Sequence, residues 1–177
     1  MLASNKQITR YHYAVFVLWL VLTLAAAVYF ITGRLLPFDP NRKLSGQDSS
    51  VLIEQLKEIS ALKNVNLSNT IIHFTSHECA CTQYSEDHKR AINKQAKSAG
   101  FDVININIPA DLFTIIPSTP AILITGGIEE LLYFGPYSAG LACSESNGYV
   151  ETVLKNYAQG FNSDLVISDI KGCYCNI

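Results

Sequence analysis

The stretch Ile71-Ile72-His73-Phe74-Thr75, then Ser76-His77-Glu78, then Cys79-Ala80-Cys81 decides how the chain is read. An apolar strand of five residues runs into two thiols, and a helix-like run starts near Thr82. A helix start carries unpaired N–H groups and partial positive charge, which favour a thiolate over a thiol. Two cysteines at such a junction therefore mark a chemical site. About forty residues on, Ser118-Thr119-Pro120 precedes a second apolar strand, Ala121-Ile122-Leu123-Ile124.

The elements on either side follow from periodicity and punctuation. Ser49 to Leu62 places Leu52, Leu56 and Ile59 at helical spacing, with Asp48-Ser49-Ser50 able to cap it. The helix after Cys81 runs to about Ala99 and stops at Gly100, a C′ glycine. Phe101 to Ile108 alternates apolar and polar residues and reads as a strand. Pro109 to Ile116 reads as irregular or a short helix. Gly126-Gly127 between Ala121–Thr125 and Leu131–Phe134 predicts a hairpin with glycine in the turn. Asn147 to Gln159 forms the last helix, with Val150, Val153, Leu154 and Tyr157 on one face.

Ala14 to Ile31 is uncharged throughout, and eighteen helical residues span about 27 Å, near the thickness of a bilayer core. Tyr11, Tyr13 and Trp19 toward one end and Tyr29 at the other resemble an aromatic belt. No face is polar, so the segment reads as a transmembrane anchor. Ala25-Ala26-Ala27 leaves a cleaved signal as the alternative. Basic residues flank the span on both sides and leave its orientation nearly tied. The five cysteines favour an oxidising compartment, hence a single pass through a bacterial inner membrane with the C-terminal domain in the periplasm. The expected organisation is 1–13 cytoplasmic, 14–31 anchor, 32–48 juxtamembrane linker, 49–160 α/β domain and 161–177 a cysteine-containing tail. A net charge of −2 without basic clusters argues against a nucleic-acid partner.

Dithiol, Thr-Pro and element order together resemble the thioredoxin-like superfamily over roughly Ser49 to Gln159. The resemblance implies an α/β fold: a mixed sheet flanked by helices, here preceded by one N-terminal transmembrane helix. Residue by residue it implies Cys79 as attacking thiol, Cys81 as resolving thiol, a cis Pro120, and Thr119 presenting backbone to a bound substrate chain. His73 stands where thioredoxins often carry a buried carboxylate, so it is either a base for the resolving thiol or a strand histidine at a polar edge. His77 beside the dithiol would favour a thiolate when protonated and Glu78 would oppose it; His88 reads as a solvated helix residue. One departure stands out: the family norm is C-x-x-C, and a closed C-x-C ring is smaller and more strained. The other branch is that each thiol pairs elsewhere.

Cys143, Cys173 and Cys175 remain. They form either a staple from the tail to Cys143 or a relay in which the tail C-x-C exchanges with Cys79 and Cys81. A further likeness rests on Tyr133-Phe134-Gly135-Pro136-Tyr137-Ser138, Cys143, Asn147-Gly148, Val150-Glu151 and Gly172-Cys173-Tyr174-Cys175. These resemble a family of membrane-anchored thioredoxin-like proteins of gammaproteobacteria, which implies the same fold and compartment and brings no substrate. The expected function is a membrane-anchored thiol–disulfide oxidoreductase on protein thiols, needing no cofactor and drawing on a membrane redox donor. Two other readings stay open. One is a Cu(I) or Zn²⁺ binding or delivery protein using His77, Cys79, Cys81, Cys173 and Cys175. The other is a non-catalytic scaffold stapled by disulfides.

Overall fold

The computed structural model describes residues 2–33, 35–108, 115–140 and 148–176. The chain divides into two units, 1–34 and 35–177. The first is one helix, α1 (Leu2–Thr32). Its stretch Arg10–Thr32 has 23 residues of mean hydropathy 2.6 and is nowhere buried, so it is long and apolar enough to cross a membrane. Consecutive Val15, Phe16, Val17 and Leu18 are all exposed. A soluble amphipathic helix would hide one face.

The second unit is a mixed α/β domain. Its strands and helices run β1 (Leu36–Pro37), α2 (Ser49–Lys57), β2 (Thr70–Thr75), α3 (Ala80–Ser98), β3 (Asp102–Asn107), β4 (Ser118–Thr119), β5 (Ala121–Thr125), β6 (Leu131–Gly135), α4 (Tyr149–Ala158), β7 (Leu165–Val166), β8 (Lys171–Gly172) and β9 (Cys175–Asn176). Five strands form the main sheet in the order β3-β2-β5-β6-β7. β2 is parallel to β3 and antiparallel to β5; β5 and β6 form an antiparallel hairpin, and β7 joins parallel to β6.

The period-2 alternation of β2 splits its residues between two cores. Ile72 and Phe74 pack with Leu52, Ile53 and Leu56 of α2. Ile71 packs with Ile92 and Ala96 of α3 and with Val150, Val153 and Leu154 of α4. Helices thus cover both faces, which explains why β2, β5 and β6 are buried at almost every residue.

Several boundaries differ from the sequence reading. Asp48 caps α2 by accepting the Ser50 backbone N–H at 2.9 Å, but the helix ends at Lys57, and the residues after it form turns. The Ser50 hydroxyl, donating to the same carboxylate at 2.6 Å, and that backbone N–H hold the Asp48 carboxyl below its ordinary range. The stretch read as a linker contributes Phe38 and Leu44 to the core. Buried Asp39 orders it by accepting the N–H groups of Lys43 (2.9 Å) and Leu44 (2.8 Å). In the hairpin the left-handed residue is Glu129 (φ 61°), not a glycine. Lys57 Nζ meets its carboxylate at 2.8 Å and holds that conformation. At Gly126 a Cβ would meet Glu130 Oε1 at 2.7 Å, so a larger residue there would have to displace the end of that side chain. Gly100 does take a left-handed φ of 81° after α3. The region read as irregular, 109–116, lies mostly outside the described residues.

Candidate functional site

The end of β2 delivers the chain to Cys79, which occupies the N-cap of α3 in extended conformation and makes no side-chain cap bond. Cys81 follows in the first turn. Neither closes a ring with the other. Cys79 is bonded to Cys175, and Cys81 to Cys173, with Cα separations of 5.7 and 5.6 Å. Two C-x-C units therefore lie antiparallel, cross-linked at both positions. The Sγ atoms of Cys79, Cys81 and Cys175 all lie within 4.8 Å of one another. Cys79 is buried (4% exposed), whereas Cys81, Cys173 and Cys175 are half-buried.

The tail reaches this position through strand pairing along its length. β8 pairs antiparallel with β1, matching Gly172 to Leu36, and the Cys173 N–H donates to the Gly140 carbonyl at 3.1 Å. Tyr174 is buried against Phe38, edge to face at 5.3 Å between ring centres, and its hydroxyl donates to the Ser138 carbonyl at 2.7 Å. A Cβ on Gly172 would come within 2.5 Å of the Tyr174 ring, so only glycine lets that ring seat. β9 then pairs antiparallel with β4, placing Cys175 opposite Thr119. The Thr119–Pro120 peptide bond is cis, and the Thr119 carbonyl oxygen lies 3.3 Å from Cys79 Sγ. Ser118 Oγ donates to the Phe38 carbonyl at 2.5 Å and lies 2.8 Å from Asn176 Oδ1, fixing the strand end.

Of the residues read as a site, Cys79, Cys81, Thr119, Pro120, Cys173 and Cys175 come together. The staple to Cys143 is replaced: both tail cysteines are bonded to the helix start, and Cys143 itself lies outside the described residues. His77 is exposed and stands outside the sulfur cluster.

His73 is fully buried, not at a polar edge. Its Nε2 lies 2.7 Å from Asn93 Oδ1, so Nε2 carries the proton and Nδ1 accepts from the Tyr137 hydroxyl. Burial pushes its pKa down to about 4; the Asn93 hydrogen bond opposes that shift and the nearby Lys89 charge adds to it. His73 is thus a neutral imidazole at pH 7 whose ring nitrogens are both engaged away from the sulfurs.

His88 is fully buried, not solvated as its sequence position suggests, and its Nε2 pairs with Glu151 Oε1 of α4 at 2.5 Å. The signal was present in the sequence: Ser85, His88, Ile92 and Ala96 share one face of α3. Tyr137 lies beside both histidines, stacked on His73 and tilted against His88 at centroid distances of 5.5 and 6.0 Å. His88 Nδ1 and Glu151 Oε2 are buried without a hydrogen-bond partner among the described residues.

Fold and site define a class: a mixed α/β domain, preceded by one apolar helix, whose C-terminal tail is bonded by two disulfides to the start of its central helix. Comparison with known families places it more narrowly. The chain belongs to the family described as Domain of unknown function (DUF6436), whose family model matches residues 49–177 and so takes in the dithiol, the Thr-Pro and the tail. No curated protein and no solved structure matches the chain.

Proposed function

We propose that the chain is a membrane-anchored thiol–disulfide oxidoreductase of thioredoxin-like fold, with its catalytic domain in the periplasm and protein thiols as its substrates. The strand order β3-β2-β5-β6, with α3 and α4 over one face, supports the fold reading. One observation carries the function: two C-x-C units joined by paired disulfides, three of whose sulfurs lie within 4.8 Å of one another. Thiol–disulfide exchange needs an attacking sulfur close to a disulfide, and here each bond has another cysteine's sulfur beside it.

A substrate thiolate attacks the half-buried Cys81–Cys173 bond, forming a mixed disulfide with one sulfur and releasing the other as thiolate. A second substrate thiol attacks that mixed disulfide and leaves as part of an oxidised substrate. Two electrons now reside on Cys81 and Cys173 as thiols. Cys81 thiolate then attacks Cys79, forming Cys79–Cys81 and expelling Cys175 thiolate, so the oxidised bond has moved onto the helix and the reduced pair onto the tail. The reverse sequence reduces a substrate disulfide with the same atoms. The tail strand beside Thr119 lies where the resemblance puts a substrate chain, which supports the tail as resident partner of the site.

The test uses the full chain in detergent micelles with a reduced dithiol peptide. Two disulfides should accept four electrons per chain, and the Cys81→Ser/Cys173→Ser variant only two. A chain that leaves the peptide reduced over hours would overturn the proposal and favour the stapled scaffold.

A further inference from the structure

Reduction would leave four thiols in one place, and their chemistry differs from that of the disulfides. Cys79, Cys81 and Cys175 already have their sulfurs within 4.8 Å of one another, and Cys173 Sγ is bonded to Cys81 Sγ. A zinc tetrathiolate holds its sulfurs at about 2.3 Å from the ion, hence about 3.8 Å apart. A disulfide holds its sulfurs about 2.05 Å apart, so opening one to that spacing needs a movement on the order of 1.7 Å shared between two side chains. β9 keeps Cys175 opposite Thr119, and the Cys173 N–H remains bonded to Gly140, so backbone pairing holds the tail after the bonds open.

The surroundings suit an anionic cluster. The start of α3 has no side-chain cap, leaving first-turn N–H groups and the positive end of the helix beside the sulfurs. The buried Cys79 and three half-buried partners shield most of the set from water. Thiolates are soft ligands that select zinc over the hard divalent cations.

We propose that the fully reduced chain binds one Zn²⁺ through Cys79, Cys81, Cys173 and Cys175, so that metal and disulfides are alternative occupants of one site. Two equivalents of a dithiol reductant deliver four electrons and four protons. The Cys79–Cys175 and Cys81–Cys173 bonds break, and the reductant leaves as two disulfides. Zn²⁺ then forms four Zn–S bonds and displaces the four thiol protons to solvent. Zinc would use the same four cysteines as the exchange reaction proposed above, but its binding needs no substrate disulfide.

The full chain in micelles, reduced with dithiothreitol and desalted without oxygen, is titrated with Zn²⁺ against a chromogenic chelator. The reactive thiols are counted with a thiol-specific dye. One ion should bind per chain, and the reactive thiols should fall from all five cysteines to one. Cys143→Ser should bind equally well. Cys81→Ser/Cys173→Ser keeps the Cys79–Cys175 bond when oxidised, so its fold can be verified before reduction. It should bind at least about 100-fold more weakly, more than loss of an outer partner costs. Binding no greater than in the oxidised chain, or an ion that leaves all five thiols reactive, would overturn the proposal. Exchange activity of the same sample without zinc is read separately, so either idea can fail alone.

Discussion

Removing one of the two disulfides should cost far less than half of what removing both costs. The bonds enclose 96 and 92 residues and are nested, so their separations differ by only 4. In the chain-entropy account, closing a loop of that larger size stabilises the fold by about 4.7 kcal/mol. With that loop closed, the second bond restricts only a residual ring of about four residues, worth about 2 kcal/mol by the same relation. The pair together is worth about 6.5 kcal/mol. Either Cys81→Ser/Cys173→Ser or Cys79→Ser/Cys175→Ser should therefore lose about 2 kcal/mol, and the fourfold variant about three times that. The assay is urea unfolding of the full chain in micelles, without reductant, followed by far-ultraviolet circular dichroism in a Cys143→Ser background. If each two-residue variant loses half of the fourfold loss, the bonds act on independent loops and the nested argument is refuted. The asymmetry bears on function, because a bridge whose opening costs only about 2 kcal/mol can cycle while its neighbour keeps the tail in place.

Three other outcomes are expected. Stability should be full above about pH 6.5 and fall by about 3 kcal/mol on acidification to pH 4: the unfolded chain protonates His73 in that window while the folded chain, with its pKa near 4, does not. His73→Gln should flatten that limb of the pH–stability curve. Gly172→Ala should expose Cys173 and Cys175 to reductant and alkylation at a higher rate, since a Cβ would meet the Tyr174 ring at 2.5 Å; an unchanged rate would contradict the packing account. His88→Ala should lose about 2 kcal/mol in urea unfolding by stranding the Glu151 carboxylate, and adding Glu151→Gln should restore part of it.

Elements set by neighbouring residues were legible in the sequence. The alternation of Phe101–Ile108, the apolar run of β5 and the glycine at position 100 each lie close to the boundary they predict. The C-x-C at the strand-to-helix junction was legible for the same reason. What was hidden depends on partners brought from far along the chain. The tail reaches Cys79 and Cys81 across more than ninety residues, held by β8 and β9, which are too short to show a period. The burial of His73 is invisible in the sequence because its partners Asn93 and Tyr137 belong to other segments. The hairpin turn misled in another way: two glycines suggested conformational freedom, but the left-handed residue is Glu129, held by Lys57 of α2.

Disulfide mapping of the full chain by mass spectrometry, with thiols alkylated at each step of a glutathione redox titration, tests the exchange account most directly. The account predicts Cys79–Cys175 and Cys81–Cys173 at the oxidising end, then a reversible, partly reduced population carrying Cys79–Cys81 or Cys173–Cys175. Both original bonds surviving unchanged to the reducing end would contradict it.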